Sequence, residues 1–183
     1  DSFFDAKIKQ LKQQLTQLQS SDSAALKQQV AKFIAYNWQK KAINDEVTLL
    51  NAYNIDTLQI TDLQNQLETN KRQLAAKLNL DIHIPLDFDT SIKQQLEQWI
   101  SNSGLTINKK NNGRALMMVV TSPNLWNGQD QFNHVSKIEF ELAFLFEQEM
   151  VEQITLNAQA FANQAENAKQ QAVEQLVRQL ETN

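Results

Sequence analysis

The sequence predicts an α+β protein with a helical N-terminal region, a small and mostly antiparallel sheet of about four strands, and a long C-terminal helix. Three observations carry this reading. All five Gly and Pro residues (Pro85, Gly104, Gly113, Pro123, Gly128) fall in one central window, so both ends need few tight turns. Outside that window apolar residues recur every three or four positions, as on a helix face. Within it, and in the segment just after, they alternate singly, as on a strand. At 183 residues and 42% apolar side chains, the chain can bury a core without disulfides or metal. We divide it into a helical region of antiparallel helices, residues 1–79, and an α+β region, residues 80–183.

Phe4, Ile8, Leu11, Leu15 and Leu18 step by four, three, four and three, which makes residues 3–20 a helix with a narrow apolar stripe. "SSDS" at 20–23 offers N-cap types before a second run carrying Leu26, Val30, Phe33, Ile34 and Trp38, continuing through Ile43, Val47 and Leu50. A third helix, after "NIDT", aligns Ile60, Leu63, Leu67, Leu74 and Leu78, a seam that can be filled within one chain or between copies.

"DIHIPLDFD", residues 81–89, alternates as an edge strand protected by Pro85 and a charged outer face. Residues 90–104 follow as a short helix burying Ile92, Leu96, Trp99 and Ile100 and ending at Gly104. "LTI", "NKKNNG" and "RALMMVVT" read as a hairpin, and "KIEFELAFLF" as a central strand whose second half is apolar on both faces. The last segment reads two ways. Val151, Ile154, Ala158, Phe161, Ala165 and Ala168 form a helical stripe, and the Gln/Ala/Glu-rich composition, with no turn residues in "EQE", favours one helix over 150–181. The alternative is a strand over 150–161 and a helix from Asn163.

Composition excludes some chemistry. The net charge of −4 gives no drive toward nucleic-acid phosphates. Without cysteine there is no thiolate nucleophile or Cys-rich zinc site, and a periplasmic or secreted location suits such a chain. Its first residue is Asp1, which is compatible with a processed product. No apolar run approaches the roughly 20 residues of a membrane span. Gln and Asn together make up about a quarter of the chain and suit solvated helix faces.

No phosphate-binding loop, dinucleotide fingerprint or nucleophile elbow is present, and no cofactor is expected. Glu139 and Glu141 share a strand face, but nothing separates their roles, and Glu147, Glu149 and Glu152 read as an acidic helix start. The metal candidates are His83 with Asp81, Asp87 and Asp89 on one strand face. Residues two apart there are about 6–7 Å apart, too far for more than two to meet one ion. The binding candidates are Trp126, Asn127, Phe132 and His134 in "TSPNLWNGQDQFNH", read as a loop between strands, where aromatic side chains serve as contact anchors. Lys109, Lys110 and Arg114 form a weak basic tip. The expected function is therefore a non-enzymatic interaction or assembly protein of the bacterial cell envelope, or a secreted one, binding a protein partner through helical faces and the aromatic loop or associating with itself through its helices. The alternatives are a module for a small molecule, glycan or peptide, and a metal-binding protein or metal-dependent enzyme.

Overall fold

The computed structural model describes residues 2–21, 24–105 and 114–181, and the chain divides between Lys77 and Leu78 into two compact units. Among the described residues they hold five helices and a four-stranded sheet, an α+β architecture.

The helical unit contains α1 (Ser2–Leu18), α2 (Leu26–Ala52) and α3 (Leu58–Ala75). Their polar pairs give the directions. Lys7 meets Glu46 and Gln14 meets Gln39, so α2 runs antiparallel to α1. Asn44 meets Gln64 and Lys40 meets Glu68, so α3 runs antiparallel to α2. The apolar stripes close on each other: Leu11, Leu15, Leu18, Ile43, Val47, Leu50, Ile60 and Leu67 form one core cluster. Each such fully buried aliphatic side chain stabilises the fold by roughly 1.5–3 kcal/mol. Of the expected Ile60, Leu63, Leu67, Leu74 and Leu78 seam, this chain itself buries Ile60, Leu67 and Leu74 and half-buries Leu63, whereas Leu78 lies beyond the end of α3. The N-cap of α2 is Ala25, which has no capping side chain, and Asp22 and Ser23 of the expected "SSDS" cap lie outside the described residues. Asn54, at a φ of 56°, turns the chain out of α2 in the left-handed conformation that favours Asn and Gly.

The second unit is built on β1 (Leu78–His83), β2 (Arg114–Gln129), β3 (His134–Phe146) and β4 (Glu149–Ala162), hydrogen-bonded in that order. β1 pairs with β2 in parallel, and the other two pairings are antiparallel. The helices α4 (Thr90–Asn102) and α5 (Ala165–Glu181) complete the unit. α4 is capped by Asp89, whose carboxylate accepts from the Ser91 and Ile92 amides, and beyond its end Gly104 adopts a φ of 84°. One sheet face is the core: Leu116, Met118 and Val120 of β2, Ile138, Phe140, Leu142 and Phe144 of β3, and Ile154, Leu156, Ala158 and Ala160 of β4. Phe88 stacks edge-on against Phe140 at 5.1 Å, and Trp99 against Phe144 at 6.2 Å.

Four expectations are corrected. Residues 150–162 are a strand and the C-terminal helix starts at Ala165, so the alternation at Ile154, Leu156, Ala158 and Ala160 outweighed helix propensity. Glu147 and Gln148, at φ values of 51° and 72°, form the two-residue connection from β3 to β4. The primed hairpin geometry is thus held without Gly or Asn, and the acidic trio at 147–152 belongs to a hairpin. Residues 121–129 are strand, with β2 running through Trp126 to Gln129, and only 130–133 turn. The edge strand ends at His83, and residues 85–88 form a turn closed by the Phe88 amide on the Pro85 carbonyl. The expected strand "LTI" and its "NKKNNG" turn, with Lys109 and Lys110, lie outside the described residues apart from Leu105, which is buried.

Candidate interaction surface

Alternation along β2 starts with Leu116, Met118 and Val120 in the core and Met117, Val119 and Thr121 on the opposite, open face. Between Thr121 and Asn124 the register with β3 shifts by one residue. Ser122 lies in the bulge at a φ of 50°, next to Pro123, which cannot donate to a ladder. A one-residue slip exchanges the two faces of a strand. Beyond the bulge the even positions therefore lie on the open face, and Trp126 pairs with Lys137, an exposed odd position of β3.

Two contacts hold the indole there. The Lys137 ammonium sits 5.6 Å from the ring centroid, a cation–π distance. The ring also lies against the backbone of Gly128, where a Cβ would overlap it. Trp126 remains 48% exposed. In the adjacent row Gly128, Val135 and Phe161 pair across three strands; Val135 is buried and Phe161 is 51% exposed. At the tip, the Asp130 carboxylate accepts from the Phe132 amide at 2.8 Å and the Asn133 amide at 2.6 Å, closing an Asx-type turn. Those hydrogen bonds hold the Asp130 carboxyl below its ordinary range. The turn presents Phe132 at 83% exposure, and Leu125 is 48% exposed.

The four binding candidates thus share one end of the β2–β3 hairpin in distinct roles. Trp126 and Phe132 are presented to solvent. The Asn127 amide oxygen accepts from the buried Ser136 hydroxyl at 2.8 Å, tying the two strands together. His134 pairs with Gln129 and Ala162, bridging β2 and β4 through β3. Reading the sequence missed Lys137 and Phe161 on the open face, although Pro123 was a signal for a bulge.

The metal candidates are not gathered. Asp81 and His83 approach to 3.2 Å at exposed positions of β1, whereas Asp87 sits in the following turn and Asp89 caps α4. Among the described residues no group of three His, Cys, Asp or Glu residues is placed to hold an ion. Arg114 pairs with Glu147. On the open face Gln153 donates to Glu141.

No described helix is long and apolar enough to cross a membrane. The chain matches no protein-family model and no curated relative. Among solved structures it is similar in part to a minor lipoprotein from Acinetobacter baumannii, with 14% identity, 56% of this chain and 86% of that one covered, and a TM-score of 0.43. A candidate lipoprotein from Caulobacter crescentus shows 11% identity over 63% of this chain and 94% of that one, at a TM-score of 0.38. Lipoprotein GNA1162 from Neisseria meningitidis shows 9% identity over 58% and 99%, at 0.34.

Proposed function

We propose that this chain is a non-enzymatic interaction protein of the bacterial cell envelope, or a secreted one, that binds a protein partner through the aromatic end of its sheet. The observation that carries this reading is the placement of Trp126 and Phe161, each about half exposed, on the open face at one end of a rigid sheet, beside exposed Phe132 at the hairpin tip. Apolar groups gathered in this way on a surface mark contact sites. Trp126 is set by Gly128 and Lys137, and the Phe132 backbone by Asp130, so little conformational freedom is lost when a partner covers them. The envelope part rests on the missing cysteines and the amide-rich surface.

The helical faces contribute less to this reading than the sequence suggested, because the chain fills their seams itself. A glycan, peptide or small molecule on the flat Trp126 ring is the second reading, favoured by the neighbouring open-face amides Asn124 and Asn157. Affinity capture from fractionated envelope with the whole chain and its Trp126→Ala form, both checked for native circular dichroism, tests the proposal. One protein enriched by the first and lost with the second supports it. A partner retained equally by both forms overturns it, and glycan or peptide binding lost with Trp126→Ala and no protein partner moves the assignment to the second reading.

A further inference from the structure

The helical unit holds a second feature, independent of the aromatic end. Leu18, Phe33, Leu67 and Leu74 form apolar walls of a pocket of about 200 Å³, and Lys32, Lys71 and Lys77 line it as well. No carboxylate lines it among the described residues. Lys71 is the unusual member, since its side chain is only 6% exposed and its nearest carboxylate, Glu68, stands at 3.8 Å. The Glu68 Oε1 takes a 2.9 Å ion pair with Lys40 and accepts a 2.8 Å hydrogen bond from the Tyr36 hydroxyl, while Lys71 faces Oε2 from beyond hydrogen-bond distance. Lys32 donates to the Gln19 backbone carbonyl at 2.6 Å, a partner that leaves its charge unneutralised.

A buried ammonium is costly unless an anion pairs with it closely, and at 3.8 Å Glu68 makes no hydrogen bond to Lys71. Burial holds the Lys71 ammonium below its ordinary value despite Glu68. The unmet charge, apolar walls and volume together define a complement. The geometry points to a binding site for a small amphipathic anion, a carboxylate on a short apolar tail, whose head meets Lys71 and Lys32 while its tail lies against Phe33, Leu67 and Leu74. The volume of about 200 Å³ far exceeds that of a single water and gives room for a tail of several carbons.

Sodium octanoate is the probe, titrated into the full chain by calorimetry with two-dimensional NMR alongside. Octan-1-ol, which has the tail without the charge, and acetate, which has the charge without the tail, are the controls. Saturable octanoate binding is expected, at least tenfold tighter than either control, with the largest shifts at Leu67 and Leu74. Lys71→Met should weaken it at least tenfold, and Trp126→Ala should leave it unchanged. If Lys71→Met does not fold, Lys32→Gln at the pocket wall carries the same expectation of a several-fold loss. Absence of saturable binding at millimolar octanoate, equal binding of octan-1-ol, or full affinity in a folded lysine variant would overturn the assignment.

Discussion

The indole of Trp126 occupies the space where Gly128 has no side chain. A Cβ at residue 128 would overlap the ring atoms Cη2 and Cζ2 and lie 3.0 Å from Cζ3. The atoms in the way are the far end of a side chain already half in solvent, so the ring can swing aside while the strand stays. Gly128→Ala is therefore expected to shift stability by less than about 1 kcal/mol. It should move the Trp126 indole N–H resonance and lower partner affinity about as much as Trp126→Ala does. Unchanged indole chemical shifts would show that the ring does not depend on Gly128.

Asp130 positions the tip in a different way, through two backbone amides. Asp130→Ala should keep the sheet, measurably speed amide hydrogen exchange at Phe132 and Asn133, and weaken partner binding several-fold. Slow exchange retained at both amides would show that the turn is held by the strands alone.

The Glu147–Gln148 connection places two residues with side chains in the left-handed region, which costs roughly 1–2 kcal/mol per residue relative to glycine. Gln148→Gly removes this at one position but adds roughly 0.5–1 kcal/mol of backbone entropy to the unfolded chain. A net gain of about 0.5–1 kcal/mol is expected, read as a melting temperature a few degrees higher. A lower melting temperature would place another interaction on Gln148.

In the helical unit, Glu68 faces Tyr36, Lys40 and Lys71. Burial pushes its carboxyl up, but the Lys40 and Tyr36 hydrogen bonds and the two lysine charges outweigh burial and hold it below 4.5. A group with a depressed folded pKa stabilises at pH above its unfolded value and loses that stabilisation as pH falls through the folded one. Glu68→Gln should cost about 1–2 kcal/mol at neutral pH and flatten the stability curve below about pH 4.5. In a Lys71→Met background the cost should shrink, because one buried ammonium no longer depends on the carboxylate. Equal costs in both backgrounds would show that Glu68 and Lys71 are uncoupled.

Much of this fold was legible because helices such as α1 and α3 carry a stripe at the 3.6-residue period. The Leu11–Leu15–Leu18 and Ile60–Leu67 rows lie in the core as the spacing implies, and the Ile138–Phe144 row lies in a central strand. Residues 150–162 were misread because Ala, Gln and Glu favour helix in isolation, whereas pairing with β3 on one side and burial of alternate residues on one face favour strand. The aromatic end was half legible. Trp126 and Phe132 were identifiable as aromatics among turn-forming residues, but Trp126 lies on the open face through the bulge at Ser122 and Pro123, which is a property of strand pairing. Phe161 joined them only once β4 was a strand. Likewise Lys71 reads as a solvated helix residue until α2 and α3 pack around it.

The central claim is that the aromatic end of the sheet is the docking surface, and site-specific photo-crosslinking of the full chain tests it most directly. A photoreactive residue is placed in turn at Phe132 and Phe161, and at Tyr53 and Leu58, which are equally exposed apolar positions of the helical unit. The account predicts crosslinks to one protein from 132 and 161, abolished by Trp126→Ala, and none to that protein from 53 or 58. Crosslinks from 53 and 58 alone would contradict it and place the contact on the helices.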